Sequence, residues 1–232
     1  QPKEYLTKSG FNQAKFYNDL NSNNRELLGS EQLSWIEKSI LSTNAVWTIF
    51  GQQVLMAKLK FPDISKMLRS EEIPSFLKPY LKFLGLGIPS NLDAWDGYPA
   101  ERNRLYQLMI NAKKRFISLA GDTHNSWVSE LEDQSGSKVG IELGAPSVTS
   151  PGITDILNLD KKKFVNSIVK INKELQWMDP SNRGYLYLNC AEDKIIASFN
   201  YIKELEEINS DISSSKSFVL NREDLGLEEI KA

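Results

Sequence analysis

The chain predicts an α/β fold on three observations. Short apolar runs stop abruptly at turn residues, helix-period segments lie between them, and two runs near the carboxyl end alternate apolar with polar residues. The sharpest of these is Phe116 to Ala120, which halts at Gly121-Asp122. It reads as a buried strand that delivers polar side chains to the carboxyl edge of a sheet, where open α/β folds keep their sites.

In chain order, Ser30 to Leu41 carries Leu33, Ile36 and Ile40 at helical spacing, with Ser30 placed to cap the amino end. Val46 to Met56 is apolar apart from Thr48 and Gln52-Gln53, which predicts a buried strand ending at the glutamines, from which Gln53 reaches a site or serves as a structural amide. From Ala57 to Asp93, Pro62, Pro74, Pro79 and Pro89 break the pattern into short pieces. A connection that long in a compact domain is functional or a small subdomain. Its apolar stretch Leu81 to Ile88 is a wall or lid over a cleft, or simple packing. Gly85-x-Gly87 there is no dinucleotide fingerprint, because the third glycine is absent. Pro99 opens a second helix with Leu105, Leu108, Met109 and Ala112 on its buried face. Trp95-Asp96-Gly97-Tyr98 is then the turn at the amino end of that helix, where backbone donors and the helix dipole can hold an anion. Asp96 there binds metal, orients Tyr98 or Arg102, or caps the helix.

Lys138 to Leu143 predicts a further strand that leads into a turn at Ser150-Pro151-Gly152. Asp160 is placed to cap a helix bearing Phe164, Val165, Ile168, Ile171 and Leu175, with Lys161 to Lys163 in solvent. Asp179 to Asn182 is a turn, and Tyr185 to Cys190 pairs with Ile195 to Tyr201 as a hairpin, with Cys190 a buried strand thiol. The charged, serine-rich stretch 204–232 is expected to be a partly disordered tail after a domain spanning 1–203. Asp133 and Glu142 read as ordinary surface or strand acids.

Gly121-Asp122-Thr123-His124 holds the single histidine of the chain. If the backbone stays extended there, Asp122 and His124 point the same way and can converge on a metal. A lone histidine and a Gly-Asp turn are also ordinary structure, so spacing alone leaves both readings open.

Further words in order narrow the choice: Leu27-Leu28-Gly29-Ser30-Glu31-Gln32, Gly51-Gln52-Gln53, Trp95-Asp96-Gly97-Tyr98-Pro99 with Arg102, Gly121-Asp122-Thr123-His124-Asn125-Ser126-Trp127, and Thr149-Ser150-Pro151-Gly152. Together they resemble the carboxyl-terminal half of PhoD-type alkaline phosphatases, and the likeness continues through Arg183-Gly184-Tyr185 to about Tyr201. The resemblance implies the C-terminal half of a four-layer α/β/β/α metallophosphoesterase sandwich with a multi-metal centre at the strand ends. It places Asp122 and His124 as metal ligands and catalytic residues, Asp122 standing where the wider superfamily has the first histidine of Gly-His-x-His. An oxygen ligand there suits hard cations, in line with the iron and calcium associated with the family. Asn125 or Ser126 would orient these ligands, Arg102 would neutralise phosphate or pair with Glu101 or Asp96, and Tyr98 and Gln53 would border the substrate. Further ligands (a cysteine, aspartates, a tyrosine and an asparagine) belong to words that would precede residue 1. The chain is therefore expected to be a fragment that needs an amino-terminal half, and to be inactive and self-associating alone.

The implied activity is metal-dependent hydrolysis of a phosphate monoester or diester, with a periplasmic or secreted location. The rival is a non-catalytic binding or structural module that keeps the fold. Composition excludes little else. Lys and Arg number 28 against 30 Asp and Glu, a net charge of −2, which is no nucleic-acid footprint. One cysteine excludes an internal disulfide. No apolar run approaches the roughly 20 residues of a membrane-spanning helix. There is no Gly-x-Ser-x-Gly elbow and no phosphate loop ending in Gly-Lys-Ser/Thr.

Overall fold

The computed structural model describes residues 2–7, 10–64, 67–68, 78, 86–89, 91–205 and 211–230. Most of the connection in which a lid was expected, including Pro74, Pro79 and 81–85, lies outside the described residues. Of its apolar stretch, Ile88 is described and is buried in a small cluster with Phe16 and Leu20.

The sequence order is a short pair β1 (Leu6–Thr7) and β2 (Gly10–Phe11), α1 (Gln13–Leu20), α2 (Gly29–Ser42), β3 (Ile49–Gly51), a 3-10 turn at Trp95–Gly97, α3 (Pro99–Asn111), β4 (Phe116–Ala120), β5 (Ser126–Glu132) and β6 (Lys138–Gly144). There follow α4 (Ile153–Leu157), α5 (Lys161–Ile171), β7 (Leu175–Asp179), β8 (Gly184–Cys190), β9 (Lys194–Ile202), β10 (Ile212–Asn221) and β11 (Leu227–Ile230). A five-stranded mixed sheet runs β3-β4-β6-β5-β7, with β3, β4 and β6 parallel. A four-stranded antiparallel sheet runs β11-β10-β9-β8.

Alternation along the strands decides which residues face which layer. Ile117, Val128, Ile141 and Leu143 of the first sheet meet Ile195, Ala197, Phe199, Phe218 and Leu220 of the second, so the two sheets pack face to face. The opposite face of the first sheet, with Phe116, Ala120, Trp127 and Leu131, is covered by Ile36 and Ile40 of α2, Leu105 and Met109 of α3, and Phe164 and Ile168 of α5. The described residues thus build three layers, helices on sheet on sheet. Tyr185 and Tyr187 stand exposed on the outer face of the second sheet, so the fourth layer of the expected sandwich is not seen among them.

Several expectations change. The segment 204–232 is not a disordered tail over its described part, because β10 and β11 complete the second sheet and bury Phe218, Leu220 and Leu225. Serine-rich composition hid a strand whose apolar residues alternate only at its far end. Cys190 is exposed, since β8 is an edge strand and its last residues outrun the core. Leu175 opens β7 rather than closing α5. The strand expected over Val46 to Met56 shrinks to Ile49–Gly51 at the sheet edge. Ser30 caps nothing. The chain before α2 is instead held by Glu101 of α3, whose carboxylate accepts from the amides of Leu27 and Leu28. Asp160 does cap α5, accepting from Lys163 N at 2.9 Å, and Pro99 opens α3.

After β3, residues 52–60 form no regular element but lie against the helix-side face of the first sheet. The backbone donors of residues 56–60 end on side chains. Met56 N and Ala57 N donate to Glu142 at 2.7 and 2.8 Å, Lys58 N to Glu174 at 2.8 Å, Leu59 N to Asp96 at 2.9 Å and Lys60 N to Asn172 at 2.7 Å. A buried amide without a partner costs about 1–3 kcal/mol, which explains why three buried acids and a buried asparagine lie beneath this one strap.

Candidate functional site

β4 ends at Ala120, and the following residues leave the extended conformation at once. Thr123 N donates to Gly121 O at 2.8 Å across Asp122, whose φ is 66°. His124 is left-handed as well, at φ 60°. Two non-glycine residues in this region, one of them at the centre of a γ-turn, are unfavourable and persist only where surroundings over-determine them. The alternation that would align Asp122 with His124 therefore does not apply, and turn geometry sets their directions instead.

Asp122 is exposed, and together with Thr123, Asn125, Asp96 and Asn91 it supplies the polar wall of a cavity of about 260 Å³ whose apolar side includes Leu55, Leu59, Phe61 and Trp127. His124 lies outside that cavity's lining. Its Nδ1 stands 3.1 Å from Pro151 O. A carbonyl oxygen only accepts, so in the neutral ring Nδ1 carries the proton and Nε2 keeps the lone pair. This is the arrangement common to metal-bound histidines, whose second nitrogen donates to a carbonyl or carboxylate. Thr123 and Asn125 tighten the turn. Asn125 Nδ2 donates to Thr123 O, and Trp127 Nε1 to Thr123 Oγ1, both at 2.6 Å. Asn125 Oδ1 is buried without a partner. Ser126 is occupied in the core, accepting from Tyr201 Oη at 2.9 Å, and burial raises that phenol's pKa.

Of the other expected site residues, Asp96 and Arg102 meet each other. Arg102 Nη1 donates to Asp96 Oδ1 at 2.9 Å and to Met56 O at 2.9 Å, and both side chains are buried. Burial pushes the Asp96 carboxyl up, with Arg102 and the Leu59 amide opposing. Asp96 borders the cavity but caps no helix, and Arg102 is committed to the fold. Tyr98 is the residue before α3, with the Arg25 guanidinium 5.1 Å from its ring centre. Gln53 is exposed and takes part through its carbonyl, which accepts from Gly121 N at 2.9 Å. The amino end of α3 carries its own anion, Glu101, in its first turn.

The structure adds residues that the sequence reading passed over. Gln52, not Gln53, lies under the site, accepting from Trp95 Nε1 at 3.0 Å and donating to Ser118 Oγ at 2.9 Å. Ser118 in turn donates to Glu142 at 3.0 Å. Glu142 is fully buried at the centre of β6, and burial pushes its carboxyl up to about 7 against the pull of the Ala57 and Met56 amides and Ser118. It is no ordinary surface acid. The signal was present in Gly140-x-Glu142-x-Gly144: on this face of β6 a Cβ at Gly140 would fall 2.6 Å from Phe116 O, and one at Gly144 2.7 Å from Trp127 Cδ1. Arg183 is buried beside His124 and donates to His124 O at 3.2 Å.

For a metal, this chain offers one carboxylate, Asp122, and one imidazole nitrogen freed by its neighbour's hydrogen bond. These donors fit a hard or borderline cation. Among the described residues no group of three or more His, Cys, Asp or Glu side chains comes together to hold one, so Asp122 and His124 form at most part of a ligand set.

Comparison with known proteins bears on the family and the fold. Alkaline phosphatase D of Bacillus subtilis (strain 168) is 28% identical over 214 residues, which is 90% of this chain and 32% of that protein. A solved structure, that of PhoD, matches with a TM-score of 0.67 at 23% identity over 93% of this chain and 37% of its own, and so shares the fold. The chain spans about a third of the length of either relative. The sequence model of the PhoD-like phosphatases matches residues 2–199, nearly the whole of the chain, which therefore belongs to the PhoD-like phosphatase family.

Proposed function

We propose that this chain supplies part of the metal centre of a phosphate-ester hydrolase, with Asp122 and His124 as its ligands. The observation that carries the reading is the hydrogen bond from His124 Nδ1 to Pro151 O, which leaves Nε2 as the coordinating nitrogen. The further ligands belong to the part of the family length that this chain does not span, and iron with calcium is the metal content proposed from family membership. A bound metal would supply a hydroxide near neutral pH and neutralise charge on the phosphoryl oxygens. The residues seen here do the rest. The strained turn aims the ligands, and the cavity beside Asp122 gives an apolar wall to the organic part of an ester.

The test uses the protein with its upstream sequence, supplied with iron and calcium, on a chromogenic phosphate monoester and diester. Turnover that disappears in His124→Ala and in Asp122→Ala supports the assignment. An intact, metal-loaded protein that turns over neither ester establishes the non-catalytic module instead.

A further inference from the structure

The bond at His124 Nδ1 is one side of a closed circuit. Arg183, only 4% exposed, donates through Nη1 to His124 O at 3.2 Å and to Asn182 O at 2.9 Å, and its Nη2 is paired with Asp155 Oδ2. Asp155 Oδ2 also accepts from Gly152 N at 3.0 Å. Gly152 follows Pro151, whose carbonyl receives His124 Nδ1. The path thus runs from the His124 backbone through Arg183, Asp155 and the Pro151-Gly152 peptide back to the His124 ring. A second tie braces it, since Gly184 N donates to Ser147 O at 3.0 Å and Ser147 Oγ to Ser150 O at 2.5 Å. The loop that carries Pro151 is therefore anchored to the segment that carries Arg183.

We infer that Arg183 and Asp155 are positioning residues that lock His124 as its Nδ1-protonated tautomer in a left-handed backbone, so that Nε2 is ready for metal before any metal arrives. The inference rests on the ligand role proposed above, yet it concerns a property of the metal-free chain. Three considerations argue for the circuit. His124 sits at φ 60°, where a β-carbon is crowded. Its carbonyl accepts from the buried Arg183 at 3.2 Å. Its ring must be held against an acceptor-only group to exclude the other tautomer.

Because His124 is the single histidine, its tautomer can be read without assignment. In the chain labelled with 15N-histidine, held metal-free at pH 8, long-range 1H-15N correlation should show one nitrogen protonated at δ1 and one bare at ε2. An ε2-protonated ring, or a rapid average of the two forms, overturns the inference. Arg183→Met and Asp155→Asn should each convert the spectrum to the average and raise the Mn2+ concentration that half-broadens the His124 signals by ~10–100-fold, the usual effect of losing a group that orients a metal-bound histidine. A folded variant with the parent's spectrum and Mn2+ midpoint removes its residue from the circuit. If Arg183→Met does not fold, the parent spectrum and Asp155→Asn still decide. A δ1-protonated ring that Mn2+ leaves unbroadened upholds the lock and overturns the metal-centre assignment alone.

Discussion

Glu142 shows how one side chain can tie a sheet to the chain crossing it. Its raised pKa gives the native state a proton that the unfolded chain releases between the ordinary glutamate value of 4.5 and about 7. The group therefore favours folding fully below that window, and this contribution is lost as pH rises through it, by up to about 1.4 kcal/mol per unit. Urea melts at pH 5 and pH 8 should show the parent losing more stability than Glu142→Gln over that interval, and equal losses in the two would contradict the raised pKa. Glu142→Ala should cost about 3 kcal/mol or more at either pH, since it strands the Met56 and Ala57 amides and opens a cavity. Gly152 is a second sensitive residue. A Cβ there would fall 2.5 Å from Asn125 Oδ1, 2.6 Å from Pro180 O and 2.8 Å from Arg183 Nη2. Gly152→Ala should therefore destabilise by about 1–3 kcal/mol and shift the His124 resonances in the same sample.

At the scale of elements, local signals identified α2, α3 and α5 and the strands β3, β4, β6, β8 and β9, while α1, α4 and the strands β1, β2, β5, β7, β10 and β11 carried no local signal that was read. Phe116 to Ala120, Pro99 at the head of α3, and Asp160 at the head of α5 were legible because a breaker or a cap sits beside a periodic run. Removing that cap with Asp160→Ala should lower stability by about 1 kcal/mol in a thermal or urea melt, and no change would show that packing alone ends the helix. The strands β10 and β11 were not legible, because Ile212 to Ser217 is mostly polar and its pairing with β9 is what makes it a strand. Asp122 and His124 were singled out by their word, but their shared direction rests on an extended backbone that the γ-turn denies. Arg183 and Asp155 could not be placed at the site from sequence. They lie 59 and 31 residues from His124, and only the folding of α4 and β8 onto one edge brings them to it. Of the two readings of Arg102, a phosphate neutraliser or a partner of Glu101 or Asp96, the fold gives the buried pair with Asp96. Arg102→Met should cost about 3–5 kcal/mol, the usual penalty for leaving one buried charge alone.

For the whole molecule, the exposed edges matter most. β3 is a three-residue edge of a parallel ladder, with Ile49 and the preceding Val46 exposed, and β8 is an edge that presents Tyr185 and Tyr187. Such edges are templates for further pairing, so the chain expressed alone should run as a concentration-dependent oligomer in sedimentation velocity. A monodisperse monomer across the accessible range would contradict this. The strap at 56–60 has a different outcome. It is irregular by backbone geometry, yet its amides are secured by β6, by the turn before α3, and by the segment between α5 and β7. To expose those amides the molecule must part its helices from its sheet, so in heavy water Met56 to Lys60 should keep their protons about as long as the centre of β6, a coil that exchanges on the timescale of global unfolding.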